Sequence, residues 1–169
     1  AAAVGPAPGR AVDLGSGGGV PGLVLASAVW TASDLVLLDA SQRRCTALEV
    51  EVDALGLSDR VRVHWGRDEE AGRDPDLRGR SDVVVARSFG SPAVTAECAA
   101  ALLRVGGVLV VSEPPDEHDR WPAEVGQVGL ALDAVVEANG HRFARLHQVE
   151  VCPDRYPRRP GVPERRPLF

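Results

Sequence analysis

Residues 12–22 form a glycine-rich run, Val12-Asp-Leu-Gly-Ser-Gly-Gly-Gly-Val-Pro-Gly22. The glycines follow an apolar stretch, Arg10 to Leu14, and precede a segment that we expect to be helical. Glycine lets backbone N–H groups come close to a ligand, and the N-terminus of a helix is electropositive. The run therefore predicts a strand, a ligand-binding turn and a helix, in that order.

The spacing of the acid and the glycines separates this turn from two other nucleotide-binding loops. The dinucleotide fingerprint G-x-G-x-x-G requires Gly or Ala where this chain has Val20, and it normally lacks an acid at position 13. A Walker A phosphate loop needs Gly-Lys-Ser/Thr, and the chain contains no lysine. What is left is the pattern D-x-G-x-G-x-G, formed by Asp13, Gly15, Gly17 and Gly19.

Four further apolar runs follow the first at intervals of roughly 20 to 26 residues, the length of a right-handed strand–helix–strand crossover. The first of these four is continuously apolar rather than alternating, as expected for a strand that is buried on both faces. The set predicts a parallel α/β sheet. The four runs are Leu35 to Asp39, Arg60 to His64, Asp82 to Ala86 and Val108 to Ser112.

Helix chemistry marks the segments between these runs. One helix is predicted after Ser41 as N-cap, because apolar side chains from Cys45 to Leu55 fall on one helical face and Gly56 is a natural stop. The charged stretch 66–80 is interpreted as a surface loop with one helical turn, since it contains two glycines and a proline after Gly66.

The second half of the chain adds a helix and a hairpin. Ser91-Pro92 is predicted to cap and begin an Ala-rich helix that runs to Leu103 and that Gly106-Gly107 ends. Residues 132–138 and 141–151 are predicted to pair as a β-hairpin closed by Asn139-Gly140. Beyond Val151 we expect no regular structure, because proline and arginine dominate.

Length and composition restrict the class of protein. One globular domain is expected from 169 residues with 44% hydrophobic and 25% charged residues. The apolar part of the longest uncharged stretch, Val20 to Ser33, is too short to cross a bilayer, so we expect no membrane association. Three distant cysteines and four histidines without ligand spacing predict neither disulfides nor a metal, which favours a cytoplasmic location. Because the first residue is not methionine, we expect the chain to begin inside a longer gene product.

Charge divides the chain into a domain, residues 1–151, and a basic Pro/Arg-rich tail, residues 152–169. The net charge is −5, but residues 141–169 hold seven arginines against three acids, a local net charge of +4, while residues 1–140 carry −9. A basic end can bind an anionic partner locally even where the net charge of the chain opposes binding.

Several segments together resemble one protein family. Besides the glycine-rich run they are Leu38-Asp-Ala-Ser-Gln-Arg-Arg44, Gly66-Arg-Asp-Glu-Glu70, Asp82-Val-Val-Val-Ala-Arg-Ser88 and Tyr156-Pro-Arg-Arg-Pro-Gly-Val-Pro-Glu-Arg-Arg-Pro-Leu168. The chain resembles the guanine-N7 methyltransferases of small-subunit (16S) ribosomal RNA, the glucose-inhibited division protein B family. The D-x-G-x-G-x-G pattern alone is typical of all class I S-adenosylmethionine (SAM) methyltransferases, whereas the C-terminal segment and Ala86-Arg87 are specific to this family.

The resemblance implies a fold, a cofactor and a partner. The fold is a Rossmann-like three-layer α/β sandwich of class I methyltransferase type, with a mostly parallel seven-stranded sheet and a C-terminal antiparallel hairpin. SAM is the implied cofactor, and 16S rRNA or the small ribosomal subunit is the implied partner. The predicted cofactor-binding residues are Asp13, Gly15, Gly17, Gly19, Val20, Asp39, Asp68, Glu69 and Arg87.

Three of these positions also have a chemical rationale. Asp39 ends a predicted strand, where its carboxylate can accept hydrogen bonds from both ribose hydroxyls; an acid favoured by a helix N-terminus is the alternative. Asp68 follows the next strand, where methyltransferases bind the adenine edge, or it belongs to an acidic surface loop. Arg87 is predicted as the catalytic residue, holding the SAM carboxylate or a phosphate or stacking on the base, with a surface ion pair as the alternative.

The implied reaction requires few groups. Guanine N7 has an exposed lone pair and no proton, so transfer needs alignment more than a general base. The tail can supply phosphate contacts around Tyr156, with a disordered basic terminus as the alternative. The predicted RNA-binding residues are Arg158, Arg159, Arg165 and Arg166.

Two other functions stay open. Glu113-Pro-Pro115 stands where the family usually carries a lysine and a glycine, and only Ala1 to Gly9 precede the first strand, where the family has a helical segment. Both differences favour a related SAM-dependent methyltransferase that acts on a small molecule or a protein. The other alternative is a non-catalytic module that binds SAM or RNA, against which the intact acid and glycines of the turn argue.

Overall fold

The computed structural model describes residues 6–115 and 119–169, and the elements below lie within them. The strands are β1 (Arg10–Leu14), β2 (Asp34–Asp39), β3 (Val61–Trp65), β4 (Ser81–Ala86), β5 (Leu103–Glu113), β6 (Leu130–Ala138) and β7 (His141–Gln148). The α-helices are α1 (Gly22–Ala28), α2 (Gln42–Ala54), α3 (Asp68–Ala71), α4 (Pro92–Leu102) and α5 (Val162–Arg165). A 3₁₀ helix, Ala123–Val128, precedes β6.

All seven strands form one sheet in the order β3-β2-β1-β4-β5-β7-β6. Strands β1 to β5 pair in parallel, whereas β7 is antiparallel to both β5 and β6. This confirms the predicted α/β sandwich with a mostly parallel seven-stranded sheet and a C-terminal hairpin. From β1 the chain adds β2 and β3 on one side and then β4 and β5 on the other, so the order of strands reverses between β1 and β4. Open α/β sheets bind their ligands at such a point.

Helices cover both faces of the sheet and close two apolar cores. Successive residues of a strand point to opposite faces, so Leu37 and Leu38 of β2 enter different cores. Leu37 packs in the core that contains Leu25 of α1 and Leu48 of α2. Leu38 lies in the other core, with α4 and the C-terminal segment.

Helix α4 is buried from Ala93 to Leu102. Its small alanines allow it to pack closely between the sheet and the C-terminal segment. The predicted N-terminus is confirmed, because the Ser91 Oγ accepts a hydrogen bond from the Val94 N–H at 3.5 Å and Pro92 is the first helical residue.

The C-terminal end of α4 differs from the prediction. The helix stops at Leu102, β5 begins at once, and Gly106 and Gly107 lie inside this strand, at a register shift against β4. A Cβ on Gly107 would lie 2.9 Å from the Ser81 carbonyl oxygen, so glycine permits the close approach of the two strands. The prediction that these glycines end the helix is therefore wrong.

Outside α4, two local predictions are confirmed and one is wrong. The hairpin of β6 and β7 turns at Asn139-Gly140, where both residues have positive φ, as a type I′ turn requires. The charged stretch 66–80 contains the single helical turn α3, as predicted. The expectation of no regular structure beyond Val151 is wrong for α5. No helix among the described residues combines the length and the apolar character needed to cross a membrane.

Residues 152–169 pack against the rest of the domain. The Arg78 guanidinium donates hydrogen bonds to the carbonyl oxygens of Tyr156 at 2.8 Å and Cys152 at 2.9 Å. The side chain of Tyr156 is buried in the same core as α4. The C-terminal segment is therefore tied to the sheet domain by backbone carbonyls as well as by apolar contact.

Candidate active site

Three glycines shape the turn after β1. Gly15, Gly17 and Gly19 have φ angles of 69°, 56° and 85°, in the left-handed region that L-amino acids with side chains rarely adopt. The Gly17 N–H donates a hydrogen bond to the Asp39 Oδ2 at 2.8 Å, which links the turn to the end of β2.

Asp13 anchors this turn to helix α1. Its side chain is buried, and its Oδ2 accepts a hydrogen bond from the Gly22 N–H at 2.8 Å. Burial raises the pKa of Asp13 to about 6, although the Gly22 N–H and the positive charge of Arg87 oppose the rise. A Cβ on Gly22 would lie 2.5 Å from the same oxygen, so the packing requires glycine at this position.

A cavity of about 210 Å³ lies at the carboxyl ends of β1, β2 and β4, and we call it the cofactor cavity. Four of the predicted cofactor-binding residues line it: Gly15, Asp39, Asp68 and Glu69. The others, which do not line it, are Asp13, Gly17, Gly19, Val20 and Arg87. The cavity is also lined by eight residues that the sequence patterns did not predict: Ala40, Arg44, Arg67, Ser88, Phe89, Val94, Cys98 and Glu164.

Three polar contacts fix the Asp39 carboxylate at the end of β2. Its Oδ1 accepts a hydrogen bond from the Ser41 N–H at 2.8 Å, its Oδ2 accepts the bond from Gly17, and the Arg44 Nη1 lies 3.5 Å from Oδ2. Each carboxylate oxygen has more than one lone pair, so Asp39 can accept further donors from a ligand in the cavity.

Asp68 and Glu69 of α3 bring buried acceptors to the same cavity. The Asp68 Oδ1 and the Glu69 Oε2 have no hydrogen-bond partner among the described residues. Burial raises the pKa of Asp68 to about 7. Burial also acts to raise the pKa of Glu69, but hydrogen bonds from the Gly161 N–H and from Arg67 outweigh it and lower that pKa. Buried acceptors without partners are costly, so this part of the cavity favours a ligand with N–H donors.

The C-terminal segment completes the cofactor cavity. The Gly161 N–H donates to the Glu69 Oε1 at 2.8 Å, and Glu164 of α5 lines the cavity. Arg158 holds the segment in place, since its guanidinium Nη2 lies 2.5 Å from the Oε2 of Glu97, which is fully buried. The sequence did indicate that Glu97 needs a buried partner, because it is the single charged residue in helix α4, but it did not indicate which residue.

The tail arginines therefore have different environments. The backbone N–H and the guanidinium of Arg158 both donate hydrogen bonds to Glu97. This side chain therefore forms an internal ion pair. The ring of Tyr156 is buried, with the Arg155 guanidinium 5.0 Å from its centroid, and it does not offer an exposed stacking face. Arg159, Arg165 and Arg166 are exposed.

The segment after β4 borders two cavities. Arg87 is exposed and has no hydrogen bond or ion pair with a described residue, although its charge lowers the pKa of Asp13. Phe89 packs on the glycine turn, since a Cβ on Gly15 would lie 2.6 Å from the Phe89 Cδ2. Ser88 and Phe89 line both the cofactor cavity and a second cavity of about 280 Å³ at the ends of β4 and β5, which we call the acceptor cavity.

Glu113, which departs from the usual lysine of the resembling family, lines the acceptor cavity. Its side chain is only 3% exposed, and its two oxygens accept hydrogen bonds from the Arg120 Nη1 and the Trp121 Nε1, each at 3.0 Å. The negative charge at this position is therefore balanced by Arg120 within the protein.

The described histidines and cysteines do not form a metal centre. Residues 6–115 and 119–169 contain no group of three His, Cys, Asp or Glu side chains that could hold a metal ion, and His118 lies outside these ranges. Cys45, Cys98 and Cys152 are free and buried.

Comparison with known proteins identifies the family, and the similarity extends to solved folds. Two curated proteins named ribosomal RNA small subunit methyltransferase G match nearly the whole chain. The protein from Dictyoglomus thermophilum is 31% identical over 167 residues, covering 95% of this chain and 69% of its own length. The protein from Parasynechococcus marenigrum is 36% identical over 170 residues, covering 94% of this chain and 67% of its own length.

A solved structure supports the same fold class. The O-methyltransferase NcsB1 from neocarzinostatin biosynthesis, in complex with S-adenosyl-L-homocysteine (SAH) and 1,4-dihydroxy-2-naphthoic acid, superposes with a TM-score of 0.63. It is 26% identical, and the match covers 82% of this chain and 49% of that one. The predicted class I SAM-methyltransferase fold is confirmed. Because the family model described as rRNA small subunit methyltransferase G matches residues 4–125, the chain belongs to that family.

Proposed function

We propose that the protein is a SAM-dependent methyltransferase that transfers a methyl group to N7 of a guanine in 16S rRNA of the small ribosomal subunit. One observation carries the proposal: the cofactor cavity joins the glycine turn to the Asp39 carboxylate and to two acceptors, on Asp68 and Glu69, that have no hydrogen-bond partner in the described part of the chain. Family membership supports the choice of ribosomal RNA as acceptor. Work on ribosomal RNA would place the protein in the cytoplasm.

The polar groups of this chain fit those of SAM. Asp39 would accept hydrogen bonds from the ribose hydroxyls, and Asp68 and Glu69 would accept them from the adenine amino group. Arg87, exposed beside the glycine turn, can pair with a carboxylate of the cofactor or with a phosphate of the RNA. When bound, SAM supplies an electrophilic methyl group.

The chain has to align the reactants more than it has to move protons. Guanine N7 offers a lone pair and carries no proton, so no side chain is needed as general base. Ser88 and Phe89 stand between the two cavities and would set the position at which acceptor and cofactor meet. Phe89 also packs against the glycine turn at Gly15.

The exposed tail arginines are suited to phosphate contacts. Arg159, Arg165 and Arg166 are exposed on the segment whose Glu164 lines the cofactor cavity. RNA bound there would lie close to the cofactor although the domain as a whole is acidic. Arg158 supports this surface indirectly by fixing the segment to Glu97.

The cofactor assignment is tested by titration calorimetry with SAH. The unmodified protein should bind, Asp39→Ala should abolish binding, and Gly17→Val should weaken it because Gly17 has positive φ. Gly126→Val is the control, since a Cβ at Gly126 meets no atom within 4 Å and this glycine, in the 3₁₀ helix, does not line the cofactor cavity. No binding of SAH by the unmodified protein would end the SAM assignment.

The acceptor assignment is tested by transfer from labelled SAM to naked 16S rRNA, to 30S particles and to a panel of small molecules and proteins. Label should appear in the rRNA, as free RNA or in particles. Label confined to small molecules or proteins would defeat the rRNA assignment and favour a related enzyme with another acceptor.

A further inference from the structure

The acceptor cavity has the composition of a base-binding site. It adjoins the cofactor cavity through Ser88 and Phe89, and it extends to Glu113 and Trp121 on the far side. Sheet order gives the direction: β1 carries the glycine turn, β4 lies next to it, and β5, which ends at Glu113, lies beyond β4. Two aromatic rings line this space: Trp121 is buried, whereas Phe89 is partly exposed, and a partly exposed aromatic side chain can stack on an unpaired base.

The Glu113 carboxylate is held in one orientation. Its Oε1 accepts a hydrogen bond from the Trp121 Nε1 and its Oε2 accepts one from the Arg120 Nη1, each at 3.0 Å. Since each oxygen can accept a second hydrogen bond, the two oxygens together offer a paired acceptor to a ligand in the cavity. Because the Glu113 side chain is only 3% exposed, few water molecules compete with a ligand for these remaining acceptor positions.

We propose that the acceptor cavity binds the target guanine and that Glu113 determines base specificity by accepting hydrogen bonds from its N1–H and its 2-amino group. This inference rests on the proposed function and names the residue that reads the base. Guanine alone among the four RNA bases presents two adjacent donors, N1–H and N2–H, on its Watson–Crick edge, and they match the two carboxylate oxygens. Adenine presents an acceptor, N1, at the equivalent position, which the carboxylate repels.

The same arrangement orients the reacting atom. N7 lies on the five-membered ring, on the side of the purine away from N1 and the 2-amino group. With the Watson–Crick edge at Glu113, N7 is directed away from β5 and toward Ser88 and Phe89, where the acceptor cavity meets the cofactor cavity. Recognition of one edge of the base thus presents the other edge for methylation.

The test replaces the target guanosine by inosine, which keeps N7 and N1–H and lacks only the 2-amino group. The rRNA is assembled by splinted ligation with guanosine or inosine at the mapped methylation position, and kcat/KM is measured with wild type, Glu113→Gln and Glu124→Gln. Glu124 is an exposed acid in the 3₁₀ helix and serves as the matched control. Binding of SAH is measured in parallel for all three proteins.

Wild type and Glu124→Gln should lose about 10- to 150-fold in kcat/KM on inosine, the effect of one hydrogen bond to a charged group. Glu113→Gln should lose rate on guanosine and discriminate against inosine less than about threefold, with unchanged SAH affinity because Glu113 does not line the cofactor cavity. Equal rates of wild type on the two substrates, or the same preference in Glu113→Gln, overturn the inference. The first comparison needs no variant, so it decides even where Glu113→Gln fails to fold.

Failure of the proposed function gives a different result. In that case wild type transfers no methyl group to guanosine-containing rRNA, although it binds SAH. If rRNA is methylated at N7 but inosine is accepted equally well, the proposed function holds and only the role of Glu113 is refuted.

Discussion

Replacing Arg158 by methionine tests whether an internal ion pair builds the cofactor cavity. The Glu97 carboxylate is fully buried and accepts hydrogen bonds from the Arg158 Nε, Nη2 and backbone N–H. Removing one partner of a buried ion pair costs about 3 to 5 kcal/mol. The lower end applies here, because Arg158→Met retains the backbone N–H and the Arg158 side chain is 26% exposed. For a domain of this size, about 3 kcal/mol corresponds to a fall of roughly 6 to 12 °C in Tm.

The same variant should weaken cofactor binding. Releasing the C-terminal segment removes the hydrogen bond from the Gly161 N–H to Glu69 and displaces Glu164 from the cavity wall. The loss of one hydrogen bond to a charged group predicts about tenfold weaker SAH binding. Thermal unfolding followed by circular dichroism and calorimetric titration with SAH measure the two effects.

Two further variants control the experiment. Arg159→Met removes an exposed arginine one residue away and should leave Tm within about 1 °C of wild type. In Glu97→Gln/Arg158→Met no uncompensated charge is buried and an acceptor for the Arg158 N–H is retained, so more than half of the lost stability should return. The reasoning is refuted if Arg158→Met unfolds at the same temperature as Arg159→Met and binds SAH as tightly.

Three further predictions follow from the site. Asp68 has a pKa raised to about 7 and must ionise to accept donors well, so SAH affinity should rise between about pH 6 and 8, and Asp68→Asn should flatten this dependence in calorimetry. Gly22→Ala should cost about 1 to 3 kcal/mol of unfolding free energy, because its Cβ would press on the Asp13 carboxylate, whereas Gly18→Ala should cost less in the same urea titration. Arg159→Ala with Arg166→Ala should weaken binding to rRNA and reduce its salt dependence, measured by filter binding, while SAH affinity stays unchanged.

Asp68 also makes the stability of the fold depend on pH. The pKa of Asp68 is raised by burial, so the folded protein binds this proton more tightly than the unfolded chain does. The contribution of this group to stability is therefore greatest at low pH and is lost as pH rises from about 4 toward 7. A stability of Asp68→Asn that falls as steeply as that of wild type across this window would contradict the assignment.

Local patterns were sufficient to predict most of the sheet. The strand Arg10–Leu14 has the predicted bounds, and β2 begins one residue before the predicted Leu35. Continuous apolar runs separated by crossover-length segments admit few other arrangements. The glycine turn and Asp39 were predicted to lie together, and a hydrogen bond from Gly17 to Asp39 joins them.

Contacts between distant residues were not predictable from these patterns. Arg158 and Glu97 are 61 positions apart, and Gly161 and Glu69 are 92 apart, so no local spacing identifies either pair. The basic tail was interpreted from its charge, its tyrosine and its resemblance to the family as a surface for RNA, and its position at the cofactor cavity, which depends on packing against α4, was not predicted. The ion pair between Glu113 and Arg120 was not predicted either, because Arg120 belongs to a segment without clear periodicity.

The most direct test of the proposed activity is to identify the methylated atom. The protein is incubated with 30S particles and labelled SAM, the rRNA is digested to nucleosides, and the products are separated by chromatography with mass detection. We expect the label in 7-methylguanosine from a single position, with none in the Asp39→Ala reaction. Label in a different nucleoside, or no label in the rRNA while SAH binds the protein, would contradict methylation of guanine N7 in small-subunit ribosomal RNA.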